Sequence, residues 1–171
     1  MNYNHWQKDL KDSTKAILSI KDTILSKLIS GKILSIEDSN DEILILLDQK
    51  SGIDFLRENQ TGLQGIAARV QWGRAYNTFT IRKERYTQSK TELEKRLSQI
   101  ENGYIYPAFT LQAYFDKRES NNLLSIAIIR TKDLYTFIKD NPNKTFTMKS
   151  DNIFLCVSWD HINNLIKKYP K

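Results

Sequence analysis

Alternating apolar and polar side chains occupy residues 62–72 and 77–85, which is the pattern of β-strands buried on one face. The preceding segment, GIDFLRE at 52–58, places a carboxylate, Asp54, between apolar neighbours. If the three strands are neighbours, their polar faces form one surface that comprises Asp54, Arg69, Gln71, Thr80, Arg82 and Glu84. Such a surface is typical either of a phosphate or metal site or of the solvated side of an ordinary sheet.

Helical and strand patterns alternate along the rest of the chain. The apolar spacing predicts a helix from His5 to Ser30, and a Ser89–Glu92 capping box predicts the start of a second helix. A third helix is expected from Thr131, and a last helix, capped by Asp160, is expected at 161–169. Further strands are expected at 32–38, 42–49, 106–115, 123–130 and in a closing hairpin, TFTMK and NIFLCVSW, with the apolar run 42–49 as a central strand.

These elements predict one α+β domain over residues 1–171, with a mixed, largely antiparallel central sheet flanked by helices. The hydrophobic fraction of 40% is enough for a packed core. The single cysteine, Cys156, lies in an apolar run and is expected to be a buried thiol. Because neither a signal peptide nor a membrane-spanning run is recognisable, a soluble cytoplasmic protein is expected.

The charge balance favours a polyanionic partner. There are 26 Lys and Arg residues against 20 Asp and Glu residues, a net charge of +6. Basic and aromatic residues are also interleaved between Arg69 and Arg85, where guanidinium groups could neutralise phosphates and rings could stack on bases. The candidate nucleic-acid-binding residues are Arg69, Trp72, Arg74, Tyr76, Arg82, Lys83 and Arg85. The alternative is a solubilising rim, since many small basic proteins bind no nucleic acid.

The succession of a helix, three strands, a helix and two strands over residues 5–130 resembles the PD-(D/E)XK restriction-endonuclease-like superfamily, in particular its compact Holliday-junction-resolvase type. The resemblance implies that Asp54 in GIDF matches the family's metal-binding Asp on the second core strand. It also implies a Mg²⁺ cofactor, a DNA partner in preference to RNA, and dimerisation as an option.

The third core strand departs from the family pattern, because it contains no Glu-x-Lys: Arg69-Val70-Gln71 occupies the stretch, with Ala67 two positions before Arg69. Hydrolysis of a phosphodiester through a hard cation usually needs at least two carboxylates. On the resemblance, Asp54, Gln71 and Glu84 would hold the metal, and Arg69 or Arg82 would contact the scissile phosphate. Glu84 is preferred as the second carboxylate because alternation places it on the same outward face as Arg82, with Asp48, Glu58 or a carboxylate of the first helix as alternatives.

The sequence contains no glycine-rich phosphate loop, no serine nucleophile elbow and no Cys or His pair at zinc-ligand spacing. Three functions stay open. The first is a metal-dependent DNA endonuclease with Asp54, Arg69, Gln71, Arg82 and Glu84 as catalytic residues. The second is a catalytically inactive DNA- or RNA-binding module on the same fold. The third is a protein-interaction component of a phage-defence or counter-defence system, whose charged sheet face is only solvated.

Overall fold

The computed structural model describes residues 3–36, 41–84, 90–118, 122–150 and 152–170. The longer elements are α1 (Tyr3–Ser19), α2 (Ser26–Leu28), β1 (Lys32–Ser35), α3 (Glu42–Leu46), β2 (Phe55–Asn59), β3 (Gly62–Trp72), β4 (Thr78–Glu84), α4 (Glu92–Glu101), β5 (Phe109–Phe115), β6 (Leu123–Arg130), α5 (Thr131–Asp140), β7 (Thr145–Lys149), β8 (Ile153–Ser158) and β9 (Lys167–Tyr169). Two π-helical turns, Lys21–Leu25 and Leu47–Ser51, and two 3₁₀ turns, Pro142–Lys144 and Trp159–Ile162, complete the order. The prediction of an α+β fold around a mixed sheet is confirmed.

The strands form two sheets. The larger has six strands in the order β1-β2-β3-β5-β6-β9, and all of its pairs are antiparallel except β3 with β5. The smaller is antiparallel, in the order β4-β8-β7. The expected hairpin between β7 and β8 is therefore confirmed. The expectation that 62–72 and 77–85 are neighbouring strands is wrong, because the chain leaves the larger sheet after β3 and β4 joins the smaller one.

Each face of the larger sheet packs against a separate hydrophobic core. On one face, Ile17 of α1 and Leu25 of the first π-turn pack with Ile66, Leu111 and further residues of the central strands. On the other face, the smaller sheet, α4 and α5 close a second core around side chains such as Phe79 and Tyr114. The parallel β3–β5 pair is thus covered on both sides, as parallel pairs usually are.

The apolar run 42–49 is a helix followed by a π-turn and not the predicted central strand. Asp41 caps this helix, because its Oδ1 accepts hydrogen bonds from the N–H groups of Ile43 at 2.8 Å and Leu44 at 3.3 Å. Leu44 and Leu47 pack against a small cluster that contains Ile53, while Ile43 is 69% exposed. The spacing of three residues between the half-buried Leu44 and Leu47 is helical, and the apolar residues between them conceal this period.

Two further predictions at helix ends are corrected. The capping box of α4 consists of Thr91 and Glu94, and Glu92 is the first helical residue, whereas Ser89 lies outside the described residues. Residues 161–169 form no long helix, since the 3₁₀ turn that Ser158 caps ends at Ile162 and Lys167–Tyr169 pair with the edge of β6. Among the described residues, no helix is long and apolar enough to cross a membrane.

Candidate functional site

A cavity of about 390 Å³ opens between the larger sheet, β4 and the first turns of α4, and we call it the groove. Its floor comes from β3 and β5, one wall from β4 and the other wall from α4. The charged and polar residues that line it are Asp54, Arg69, Thr80, Arg82, Lys90, Thr91, Glu92, Lys95, Arg96, Thr110 and Gln112. Its volume lies in the range of ordinary ligand pockets.

Asp54 occupies the turn between the second π-helix and β2, and its carboxylate is held against β3. Gly52, with φ of +63°, ends the helical segment in a left-handed conformation and directs the chain into the sheet. The Asp54 N–H donates to the carbonyl of Ile66 at 2.9 Å, and Oδ2 accepts the N–H of Ala68 at 2.6 Å. The carboxylate is thus half-buried and fixed by a charge-assisted hydrogen bond at one end of the groove.

Glu92 joins the two arginines of the groove. Its Oε2 accepts a hydrogen bond from Nη2 of Arg69 and another, at 3.3 Å, from the backbone N–H of Arg82. The guanidinium carbons of Arg69 and Arg82 lie 5.3 and 5.9 Å from the ring centroid of Phe154. Glu92 is the first residue of α4, where the helix dipole favours an anion. Its carboxylate therefore occupies a position at which two donors converge on an oxygen.

Lys95 and Arg96 connect the α4 wall to the second π-helix. Nη1 of Arg96 donates to the carbonyl of Ser51 and to Oε1 of Gln99, both at 2.7 Å, and Nζ of Lys95 donates to the carbonyl of Gln49 at 3.0 Å. Arg96 is 95% buried, since only 5% of it is exposed. These cations stabilise the last carbonyls of the helical segment while they contribute positive charge to the groove.

The floor of the groove is a chain of neutral hydrogen-bonding groups. Oε1 of Gln112 accepts a hydrogen bond from the Thr80 hydroxyl at 3.0 Å, and Nε2 of Gln112 donates to Oε1 of Gln71 at 3.3 Å. The hydroxyls of Thr110 and Thr131 are 2.9 Å apart. Gln71 therefore supports Gln112 from the neighbouring strand and does not itself line the groove.

The structure places Asp54, Arg69 and Arg82 along this groove, as the assignment of strand faces predicts, although Arg82 belongs to the smaller sheet. Glu84 does not accompany Arg82. A β-bulge between these two residues leaves Lys83 without a partner on β8, so the alternation that linked Glu84 to Arg82 is interrupted. Lys83 and Glu84 are both exposed.

The candidate nucleic-acid residues outside the groove are dispersed. Trp72 is half-buried on the opposite face of β3 and packs against Phe115, with ring centroids 5.6 Å apart, so it cannot act together with Arg69. Arg74 and Tyr76 lie in the loop that follows β3, with the guanidinium carbon 4.4 Å from the Tyr76 ring centroid. Arg85 lies outside the described residues.

The sequence-based reasoning misses four charged groove residues in α4 or just before it: Lys90, Glu92, Lys95 and Arg96. The available signal is the segment KTELEKR, in which charges concentrate at the start of a predicted helix. The wall also affects the buried Tyr135: burial, with a contribution from the Glu92 carboxylate, raises the pKa of the Tyr135 hydroxyl well above the usual range.

The carboxylates near the groove do not form a resident metal cage. Within the described ranges, no group of three or more His, Cys, Asp or Glu side chains could hold a metal ion. Asp54 and Glu92 line the groove, but each is engaged by a hydrogen-bond donor of the protein. Asp48 lines a smaller cavity beside Asp54, and burial raises the pKa of its carboxyl. The donor set therefore does not fit a bound Mg²⁺ ion without further ligands.

The chain matches no protein-family model and gives no significant match among curated proteins or solved structures.

Proposed function

We propose that this protein binds nucleic acid by holding the phosphate backbone in the groove. The observation that carries the proposal is the charge of the groove lining, in which five cationic side chains face two carboxylates. The cations are Arg69, Arg82, Lys90, Lys95 and Arg96. The net charge of +6 over the whole chain would attract a polyanion from a distance.

The geometry of the donors also suits phosphate. The Arg69 guanidinium is already oriented by Glu92 and by the ring of Phe154, and the Arg82 guanidinium by the same ring, so little side-chain freedom is lost when an anion binds. Lys90 is exposed at the rim of the groove, so its side chain can adjust to the position of the nucleic-acid backbone. The Thr110 hydroxyl, and the Nε2 hydrogen of Gln112 that does not bond to Gln71, can donate hydrogen bonds to sugar or phosphate oxygens, which positions a strand without reading its sequence.

The strand order supports a relation to nuclease cores. Strands β1, β2 and β3 form an antiparallel meander, and β5 returns parallel to β3 after α4. Asp54 precedes the second strand of the meander, and Ala67 and Arg69 line the groove from the third. Our proposal is that the chain uses this type of surface to hold phosphate, with Ala67 in a place where the resembled family carries a metal-binding Glu.

Metal-dependent hydrolysis of DNA is a second candidate, because Glu92 supplies a second carboxylate to the groove that contains Asp54. Magnesium is often held by one or two carboxylates together with substrate phosphates, so an ion would have to arrive with the nucleic acid. On this alternative, incubation with Mg²⁺ or Mn²⁺ cleaves DNA, and the Asp54→Ala variant binds but does not cleave. Absence of cleavage by the wild-type protein would leave the binding function alone.

The binding proposal is tested with fluorescence anisotropy of a labelled single strand and of the matching duplex. The variant Arg69→Gln/Arg82→Gln/Lys90→Gln should bind far more weakly, and the slope of log affinity against log salt should fall by about 2. The matched control is Lys8→Gln/Lys11→Gln/Lys132→Gln, which removes the same charge from exposed positions outside the groove. Equal losses in the two triple variants, or no binding by the wild type at low salt, would contradict the proposal.

A further inference from the structure

Another cavity, also of about 390 Å³, lies where β5 begins and β6 ends. Its lining is partly apolar, since Leu28 and Ile128 are buried at its base and the half-buried ring of Phe109 forms part of the wall. Leu165, which is 41% exposed, lies at its mouth. This lining differs from that of the groove, whose floor is polar.

The cavity also contains a guanidinium group that is fixed in place. Arg57 lies over the ring of Phe109, with its Cζ 5.5 Å from the ring centroid. Its Nη1 donates to Oε1 of Gln64 at 2.7 Å, its Nη2 donates to the hydroxyl of Ser30 at 2.9 Å, and its Nε donates to the Ser30 carbonyl. A guanidinium has five N–H groups, so two remain after these three bonds. They can bind an anion without a further loss of side-chain freedom.

Charge at the rim adds to this preference for an anion. Arg130 and Lys167 are exposed residues of the lining, and Asp133 is the single acidic residue among those that line the cavity. With Arg57, three cations therefore face one carboxylate around a partly apolar interior. An inorganic ion would leave the apolar wall uncovered, and an uncharged apolar molecule would not use the cations.

We propose that this cavity binds a small organic anion with an aromatic or otherwise apolar body. The body would contact Phe109, Ile128 and Leu165, and the anionic group would lie against Arg57 and the two rim cations. The inference is independent of nucleic-acid binding in the groove, because the two cavities share no lining residue.

The test uses 1-anilinonaphthalene-8-sulfonate as the anionic probe and N-phenyl-1-naphthylamine as its uncharged analogue, with the full chain and fluorescence as readout. The sulfonate should bind saturably at one site and more tightly than the analogue. The variant Arg130→Gln/Lys167→Gln should weaken sulfonate binding about tenfold and leave the analogue unchanged. The control Lys8→Gln/Lys11→Gln, with the same loss of charge at exposed positions of α1 outside the lining, should bind the sulfonate as the wild type does.

A second variant, Leu165→Asp, introduces a carboxylate at the exposed mouth and should also weaken sulfonate binding, by a similar factor. Thermal melting identifies any variant that is unfolded. Equal affinity for the two probes would overturn the proposal, as would sulfonate binding that neither the Arg130→Gln/Lys167→Gln variant nor Leu165→Asp weakens.

Discussion

Glu92 is the most informative residue to change, because the binding function and the hydrolytic alternative predict opposite effects. Its carboxylate accepts hydrogen bonds from Arg69 and from the Arg82 N–H, so it occupies a place that a phosphate oxygen would take. The variant Glu92→Gln keeps the side-chain shape and removes the negative charge. On the binding account, nucleic acid then binds more tightly, since an internal competitor of the phosphate is removed.

The size of the effect follows from the geometry. The paired side chains of Arg69 and Glu92 are about one quarter exposed, at 27% and 26%. A phosphate on the same guanidinium would lie about 6 Å from the Glu92 carboxylate, where an effective dielectric constant of about 40 gives a repulsion of about 1.4 kcal/mol. Removal of that repulsion should tighten binding about tenfold. The same change should lower the free energy of unfolding by about 1 kcal/mol, through loss of charge-assisted hydrogen bonds.

The assay is a titration of labelled oligonucleotide at fixed salt, followed by anisotropy. The matched control is Glu101→Gln, at the other end of α4, where the glutamate is exposed and pairs with Lys139. This control carries the same change in net charge but should alter affinity much less. Unchanged or weaker binding by Glu92→Gln would refute the reasoning, and loss of metal-dependent cleavage in that variant would favour the hydrolytic alternative.

Three further predictions concern stability and are checked by chemical denaturation. Replacement of Asp54 by Asn should cost about 1 kcal/mol, because the Ala68 N–H keeps an acceptor but loses a charged one; an unchanged free energy of unfolding would contradict this. Burial raises the folded-state pKa of Asp48 above the usual value of 3.8, so ionisation of this carboxyl destabilises the fold as the pH rises past that value. The Asp48→Asn variant should therefore be more stable than the wild type at neutral pH and equally stable in strong acid. Leu44→Ala should cost about 2 kcal/mol, whereas Ile43→Ala, at an exposed position of the same helix, should change stability by less than about 0.5 kcal/mol; similar losses would indicate a strand.

Local patterns were sufficient for much of the fold. The segment 62–72 alternates clearly enough that the predicted and observed strand coincide, and the β7–β8 hairpin follows from two apolar runs around a polar turn. The helix at 42–46 was predicted as a strand because EILILLDQ has apolar residues at almost every position, so no period distinguishes a strand from a helix. The signal for a helix was Asp41 as an N-cap, but the run of consecutive apolar residues after it favoured a strand in the sequence-based prediction.

The candidate site was only partly predictable, and the reason lies in tertiary packing. Alternation correctly placed Arg69 on the face opposite Ile66 and Ala68, but it could not indicate that β4 belongs to a second sheet. Arg82 reaches the groove because the two sheets pack together, and Glu84 does not line it, since a β-bulge shifts the register. The α4 wall of the groove arises because this helix docks beside the sheet, and the local periodicity of a single sequence does not predict where a helix docks.

The most direct test of nucleic-acid binding in the groove is an NMR titration of the ¹⁵N-labelled protein with a short single strand of DNA. The account predicts that the largest amide shifts fall on Ala68, Arg69, Arg82 and the start of α4, and that they diminish as salt is added. The amides of the exposed edge strand β7 should serve as the internal reference, with little change. Shifts that cluster away from the groove, or no shifts at low salt, would contradict the account.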